Sequence, residues 1–412
     1  MTRHLRIVRR SALVAAVALG ASCHDYLTVT NPGPIADESL QTPDAVPGFV
    51  TGMSSDLSNA LDEVVRISGI ASDELGHGGS YTGEGLWYRG IINPEDINDQ
   101  WALMQRARWV AEQGITRMKA LPGFTYDNDA ASARANLLAG FADRLLGENA
   151  CKAVIDGGAV QSDSVHFQRA LAYFTEAIRI AQARNVVDVL NAAYGGRASV
   201  KASLGDWPGA VADAQQVPAA FVYNAVYSTN STRENNSLVQ ETYVRREFTV
   251  FGTQWAQVFN DPRVPWDTIY TSAAKTAVQK GQDGKTNFFR QRKYADLGAD
   301  IPLTKGTEML MLRAEAALRT GDVGGAFALI NQQRTVYRLP ALSPPPAGLA
   351  AAWQILEKEY GAVVWLEGRR LWQLRRWQAA TDASHNGFLD GRATCIPISL
   401  AERQSNPNAS GG

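Results

Sequence analysis

Three short segments of this 412-residue chain repeat one pattern, and that pattern limits the fold more than any other feature. Leu146-Gly147-Glu148, Leu204-Gly205-Asp206 and Thr320-Gly321-Asp322 each place a glycine where a helix would break. Seven residues before each glycine stands a small residue: Gly140, Ala198 and Ala314. Ala210 and Ala326 follow two of the glycines by five residues, Trp207 and Val323 by two, and Ile330 follows Gly321 by nine. Small residues let two antiparallel helices approach closely, and a glycine turns the chain between them. The first segment departs, because Lys152 replaces the alanine; after an inserted loop, the Ala170, Phe174, Ala177 spacing supplies its second helix.

The spacing predicts helix pairs at about 132–147 with 166–184, 190–204 with 207–217, 307–320 with 323–335, and 352–366 with 369–380. Leu137, Phe141 and Leu145 form a stripe suited to a buried face. Each pair resembles a tetratricopeptide repeat. Such units cannot bury their apolar faces alone, so they must stack. The expected fold is mostly α, a tetratricopeptide-like scaffold of about four helix pairs over about 132–217 and 307–380. Two stretches, about 65–100 and 218–305, show little helical period and read as loop-rich insertions. Function is placed there, because loops held on a rigid frame carry most binding residues.

The N-terminus carries Arg3, Arg6, Arg9 and Arg10 and no acid, followed by small or apolar residues from Ser11 to Ala21. That run is too short to span a bilayer and reads as an export signal over 1–22. Residues 23–412 are then one mature domain. A cysteine just after the cut suggests a bacterial lipoprotein, so Cys23 is the expected lipidation site, although Gly20 stands at −3 where a bulky apolar residue is usual. The alternative is ordinary cleavage near Ala21 with a free Cys23. The 390-residue remainder has four fewer of the 40 Lys and Arg against 41 Asp and Glu, so its charge falls from −1 to −5. That mild acidity argues against nucleic acid, whose phosphates need a basic surface. No other stretch approaches 18 consecutive apolar residues, so the lipid would be the sole membrane anchor. Cys151 and Cys395 remain, and an even pair in an exported chain reads as a disulfide, the other reading being two separate buried thiols. Closing a loop of about 245 residues would remove on the order of 5 kcal/mol of freedom from the unfolded chain.

Ordered motifs run along nearly the whole chain: Cys23…Asp25-Tyr26-Leu27…Asn31-Pro32, Asn260-Asp261-Pro262-Arg263, Glu308 to Ala316, Glu367-Gly368-Arg369-Arg370 with Arg376-Trp377, and Ile396-Pro397-Ile398…Asn406-Pro407-Asn408. In this order they resemble the SusD/RagB-type outer-membrane nutrient-binding lipoproteins. Gln373 stands where that family usually has Asp, and Val363 where it usually has Glu. The resemblance implies a lid-like, lipid-anchored binding protein facing the cell exterior. It would hold an oligosaccharide, or in some relatives a peptide, over a SusC-type TonB-dependent transporter, without enzymatic turnover and without cofactors.

A sugar ring offers an apolar C–H face and a rim of hydroxyls, so a site for it needs flat aromatic rings beside polar groups. Residues 73–89 contain five glycines, which predicts a loop carrying Asp73, Tyr81, Trp87 and Tyr88 as ligand-binding candidates. Trp266, after Pro265, is the candidate from the second insertion. Simple packing is the competing reading for each. Trp101 and Trp109, and Trp353, Trp365, Trp372 and Trp377, read as core, and Trp207 as the aromatic of a repeat turn. The five histidines, His4, His24, His77, His166 and His385, are scattered without metal-ligand spacing. No Gly-x-Ser-x-Gly elbow occurs, and Gly284-Lys285-Thr286 lacks the first glycine of a phosphate loop. Asp127-Asn128-Asp129 reads as a solvated turn rather than a calcium loop. Two further readings are an envelope scaffold of tetratricopeptide type that binds no nutrient, and an envelope hydrolase.

Overall fold

The computed structural model describes residues 40–344, 348–378 and 387–409. Cys23, the export segment and the motif at 25–32 lie outside the described residues. Two helices precede the repeats: α1 (Val46–Ala71) and, after the short α2 (Thr82–Tyr88), α3 (Asn98–Ala120). The repeat helices are α4 (Ala130–Asn149), α5 (Ser164–Arg184), α6 (Val187–Ser203) and α7 (Trp207–Ala214). After the mid-chain insertion come α8 (Gly306–Arg319), α9 (Val323–Val336), α10 (Leu349–Val363) and α11 (Arg370–Gln378). A last short helix, α12, spans Leu400–Ser405. All four expected pairs form, with every described end within three residues of its expected place.

Two of the three glycines break helices as expected. Gly205 and Gly321 sit at φ +83° and +80°, a left-handed conformation that costs glycine little. In both places the next residue caps the following helix: Asp206 accepts from Gly209 N at 3.0 Å and Asp322 from Gly325 N at 2.8 Å. Gly147 behaves differently, which corrects the reading of it as a breaker. It lies inside α4, where a Cβ would stand 2.8 Å from the ring of Phe167. Close approach, not a turn, requires that glycine. Glu148, in place of the capping Asp, is buried and pairs with Arg369 at 2.9 Å.

The first insertion is less irregular than expected: 65–71 completes α1 and 82–88 forms α2. α1 is apolar over most of its circumference, with Leu57, Ala60, Leu61, Val64, Val65, Ile67 and Ile70 all buried. Its half-exposed residues Ser55, Asn59, Glu63 and Arg66 keep to one side, so the burial is deep but one-sided. In α3 the buried stripe is Trp101, Met104, Arg108, Ala111, Ile115 and Met118. Trp109 falls off it and is 50% exposed, so it is not core as expected. Trp353, Trp365 and Trp377 are core, and Trp372 is partly buried. Trp207 lies under the guanidinium groups of Arg319 and Arg376, at 4.4 and 5.3 Å.

Short antiparallel strand pairs organise the rest. They are β1 (Gly76–His77), β2 (Lys152–Ala153), β3 (Gln161–Ser162), β4 (Val222–Ala225), β5 (Phe248–Thr249), β6 (Trp266–Thr268), β7 (Phe289–Gln291) and β8 (Ile301–Lys305). β4 pairs with β8, Val222 opposite Lys305, and so closes the mid-chain insertion at its base. That closure lets α7 pack on α8, making the repeats contiguous in space though not in sequence. β1 pairs with β5, which joins the two insertions. Cys151 and Cys395 are bonded, with Cα atoms 5.1 Å apart. Around the bridge, Cys151 N donates to Ile396 O at 2.8 Å and Ile396 N to Asn149 O at 2.7 Å. The bridge thus ties the C-terminal segment to the end of α4. Asp129 caps α4 by accepting from Ala131 N at 2.7 Å, and Asp127 pairs with Arg179 at 3.1 Å, so that acidic run is a turn.

Several charged residues of the ordered motifs prove to be buried ion pairs. Arg369 reaches Glu308 at 2.7 Å as well as Glu148. Glu367 holds Lys293 and Lys305. Arg263 pairs with Asp261 and Glu359, both at 2.6 Å, and Arg334 shares Glu359. Gln373 accepts from Arg370 Nη1 at 2.8 Å, keeping an acceptor there without a charge. Val363 is buried, and its backbone oxygen accepts from Lys305 Nζ.

Candidate functional site

The β1–β5 pairing brings the ends of both insertions against α10 and the C-terminal segment. Between them lies a cleft of about 780 Å³, within the range of small-ligand sites. Asp73, just past the end of α1, forms its floor and is 8% exposed. Arg370 grips its carboxylate with both prongs, Nε at 2.8 Å and Nη2 at 2.7 Å, and Gln254 Nε2 donates to it at 2.5 Å. Such a forked pair fixes orientation as well as charge. Arg370 is fully buried and also pairs with Glu357 of α10, which lines the same cleft. Tyr88 ends α2 and is 39% exposed beside Arg89. Opposite stand Phe388 and Arg392. Arg392 Nη2 donates to Tyr88 O at 2.7 Å, and its guanidinium lies 4.8 Å from the Phe388 ring centre. Burial lowers the Arg392 pKa.

The cleft therefore sets aromatic side chains beside carboxylates and guanidinium groups. Rings can cover an apolar C–H face while the charged groups take up hydroxyls. Asp73 and Glu357 both pair with Arg370 and so stand as oriented acceptors.

The five candidate residues do not share one site. Asp73 and Tyr88 meet in the cleft. Trp87 is 3% exposed and packs in the main core, so it cannot touch a ligand in this conformation. Its neighbourhood is helical, not a loop: Gly85 N donates to Tyr81 O at 3.1 Å, and Gly85 lies against His77. Tertiary packing overrides the low helix propensity of glycine there. Tyr81 lines a separate cavity near α1 and α3, under Arg245 at 4.7 Å. Trp266 lies on β6 in a third groove of about 740 Å³. It stacks on Phe289 with ring centres 5.1 Å apart, touches Phe259, and donates from Nε1 to Val258 O at 2.8 Å. Gln254, Glu357, Phe388 and Arg392 went unnoticed in the sequence. None stands in a motif, and they reach the cleft only through long-range folding.

Solved structures share this architecture. A SusD/RagB family protein from Bacteroides thetaiotaomicron aligns with a TM-score of 0.65 at 13% identity, covering 88% of this chain and 94% of that one. A SusD-like carbohydrate binding protein from Bacteroides vulgatus aligns at 0.65 and 15%, covering 89% and 97%. A laminarin binding SusD-like protein aligns at 0.61 and 14%, covering 89% and 98%. At such identities the likeness is one of fold. No curated protein matches the sequence. Residues 222–393 match the family model described as SusD family.

The SusD-family match spans Gln254, Glu357, Phe388 and Arg392 of the cleft and the Arg263–Glu359 and Arg369–Glu308 ion pairs. Asp73 and Tyr88 lie before it. The half of the cleft contributed by the first insertion thus falls outside the matched segment.

Proposed function

We propose that this chain is a SusD-type protein, an outer-membrane surface lipoprotein that binds an oligomeric glycan in the Asp73–Tyr88 cleft. It is anchored through Cys23 and hands the glycan to a SusC-type TonB-dependent transporter without turning it over. The observation that carries the reading is the cleft itself: an exposed Tyr88 and a half-buried Phe388 face an Asp73 fixed by Arg370, with Arg89 and Arg392 alongside. Two structural neighbours are described as a carbohydrate binding and a laminarin binding protein, which supports a glycan as the ligand class. No described helix is long and apolar enough to cross a membrane, in keeping with a lipid as anchor.

Calorimetric titration of neutral oligosaccharides tests the cleft. Tyr88→Ala should weaken the best ligand about tenfold, the usual cost of truncating an aromatic anchor. An unchanged affinity would place the site elsewhere. Metabolic labelling with palmitate tests Cys23, and recovery from membranes without any barrel transporter would count against the partnership.

A further inference from the structure

Two guanidinium groups in the Asp73–Tyr88 cleft are answered by no carboxylate. Arg89 follows Tyr88 at the end of α2, Arg392 stands in the C-terminal segment, and both line the cleft. Neither is ion-paired with an Asp or Glu among the described residues. The arginines that line the other large cavities all are. Arg66 pairs with Glu84 and Arg106 with Asp56 in the cavity near α1 and α3. Arg134 pairs with Asp188 and Arg233 with Asp56 in another, and Arg292 pairs with Asp267 in the Trp266 groove.

Arg392 is held in place by neutral groups. Its Nη2 donates to Tyr88 O at 2.7 Å and to Ala71 O at 3.3 Å, and its guanidinium lies over the Phe388 ring. Carbonyls and a ring fix the group without cancelling its charge. Burial lowers its pKa, and only Tyr88 pulls the other way. Arg89 is exposed, and its side chain makes no hydrogen bond or ion pair among the described residues. The carboxylates of the cleft are already served, because Asp73 and Glu357 share Arg370. Counting Arg370, Arg89 and Arg392 against Asp73 and Glu357, the described cleft carries a surplus of one positive charge. On a chain whose net charge is −1, that surplus is not a by-product of composition.

We infer that the cleft selects an acidic glycan, with Arg89 and Arg392 taking the anionic group of a uronate or a sulfated sugar. A guanidinium meets such oxygens with charge-assisted hydrogen bonds, about twice as strong as neutral ones. Tyr88 and Phe388 cover the apolar ring face, and Asp73 and Glu357 remain acceptors for hydroxyls. The inference rests on the glycan reading of this cleft and narrows it to one class of sugar.

The full chain is titrated calorimetrically with trigalacturonate and its methyl ester, then with lactose sulfate and lactose. At least one acidic sugar should bind at least about tenfold tighter than its neutral partner, the worth of a charge-assisted hydrogen bond. Added salt should shrink that lead. The pair that shows it tells carboxylate from sulfate. Arg392→Gln and Arg89→Gln should each cut the preference to about threefold or less. If Arg392→Gln does not fold because its hold on Tyr88 O is lost, Arg89→Gln carries the test, since that side chain holds nothing else in place. Equal affinity within both pairs overturns the inference. So does no acidic sugar binding up to about 10 mM, or a preference that Arg89→Gln leaves unchanged. In each of those cases, neutral-oligosaccharide binding that is lost in Tyr88→Ala keeps the cleft reading standing. Binding of every sugar unchanged in Tyr88→Ala is the separate outcome that fails the cleft reading itself.

Discussion

At the scale of single residues, the protein rests on buried charges that are paired with care. Arg370 is the clearest case, because it serves Asp73 and Glu357 from a fully buried position. Arg370→Met should destabilise the fold by about 3–5 kcal/mol, since two buried carboxylates lose the guanidinium that offsets their charge. Denaturant unfolding measures this, and a loss below about 1 kcal/mol would show that water reaches them. Glu74 is a buried carboxyl of another kind. Leu366 N donates to its Oε1 at 2.6 Å, but Oε2 has no partner among the described residues. Burial, aided by the charge of Asp73, lifts its pKa from 4.5 to about 8, although Arg370 and Lys293 pull the other way. Between those values the folded protein keeps a proton that the unfolded chain has released. Stability therefore falls as pH rises through that window. Glu74→Gln should flatten this slope, and denaturation midpoints taken from about pH 5 to 8 would reveal it. Parallel slopes for the two proteins would exclude Glu74 as a source.

At the scale of elements, one glycine pattern serves two physical ends. A Cβ at Gly205 would meet nothing within 4 Å, yet the residue sits at φ +83°. Its cost on substitution is backbone strain, so Gly205→Ala should lose about 1–2 kcal/mol and Gly205→Asn less, because Asn tolerates the left-handed region. Gly147 is helical and lies against Phe167. Gly147→Ala should lose about 1–3 kcal/mol through overpacking, and Gly147→Asn more. Thermal unfolding of the four variants checks the reversal, and Asn ranking the same way at both sites would refute it. The helix pairs were legible because period and turn chemistry are local. α1 was missed although its polar residues Ser55, Asn59, Glu63 and Arg66 keep to one side. α2 was misread because glycine content speaks for propensity and not for the contacts that overrule it.

At the scale of the whole molecule, the Cys151–Cys395 bridge joins positions 244 residues apart and fastens the segment that carries Phe388 and Arg392. Replacing both cysteines by alanine should cost up to about 5 kcal/mol, and oligosaccharide affinity should fall with it as that wall of the cleft loosens. An unchanged unfolding midpoint would mean that the Ile396 hydrogen bonds alone hold the segment. Sequence by itself determined the stacked helix pairs, the Gly-Asp turns at 205–206 and 321–322, and the pairing of the two late cysteines. All of these follow from the spacing of side chains along one helix or from simple valence. Tertiary structure alone decided which aromatic rings meet solvent. Trp87 and Tyr88 are neighbours on one helix, yet one is buried and the other lines a cleft. Exposure depends on what covers a residue: α2 packs against α1 and β1, while Arg392, about 300 positions away, reaches only the Tyr88 backbone oxygen, and no local pattern announces such contacts.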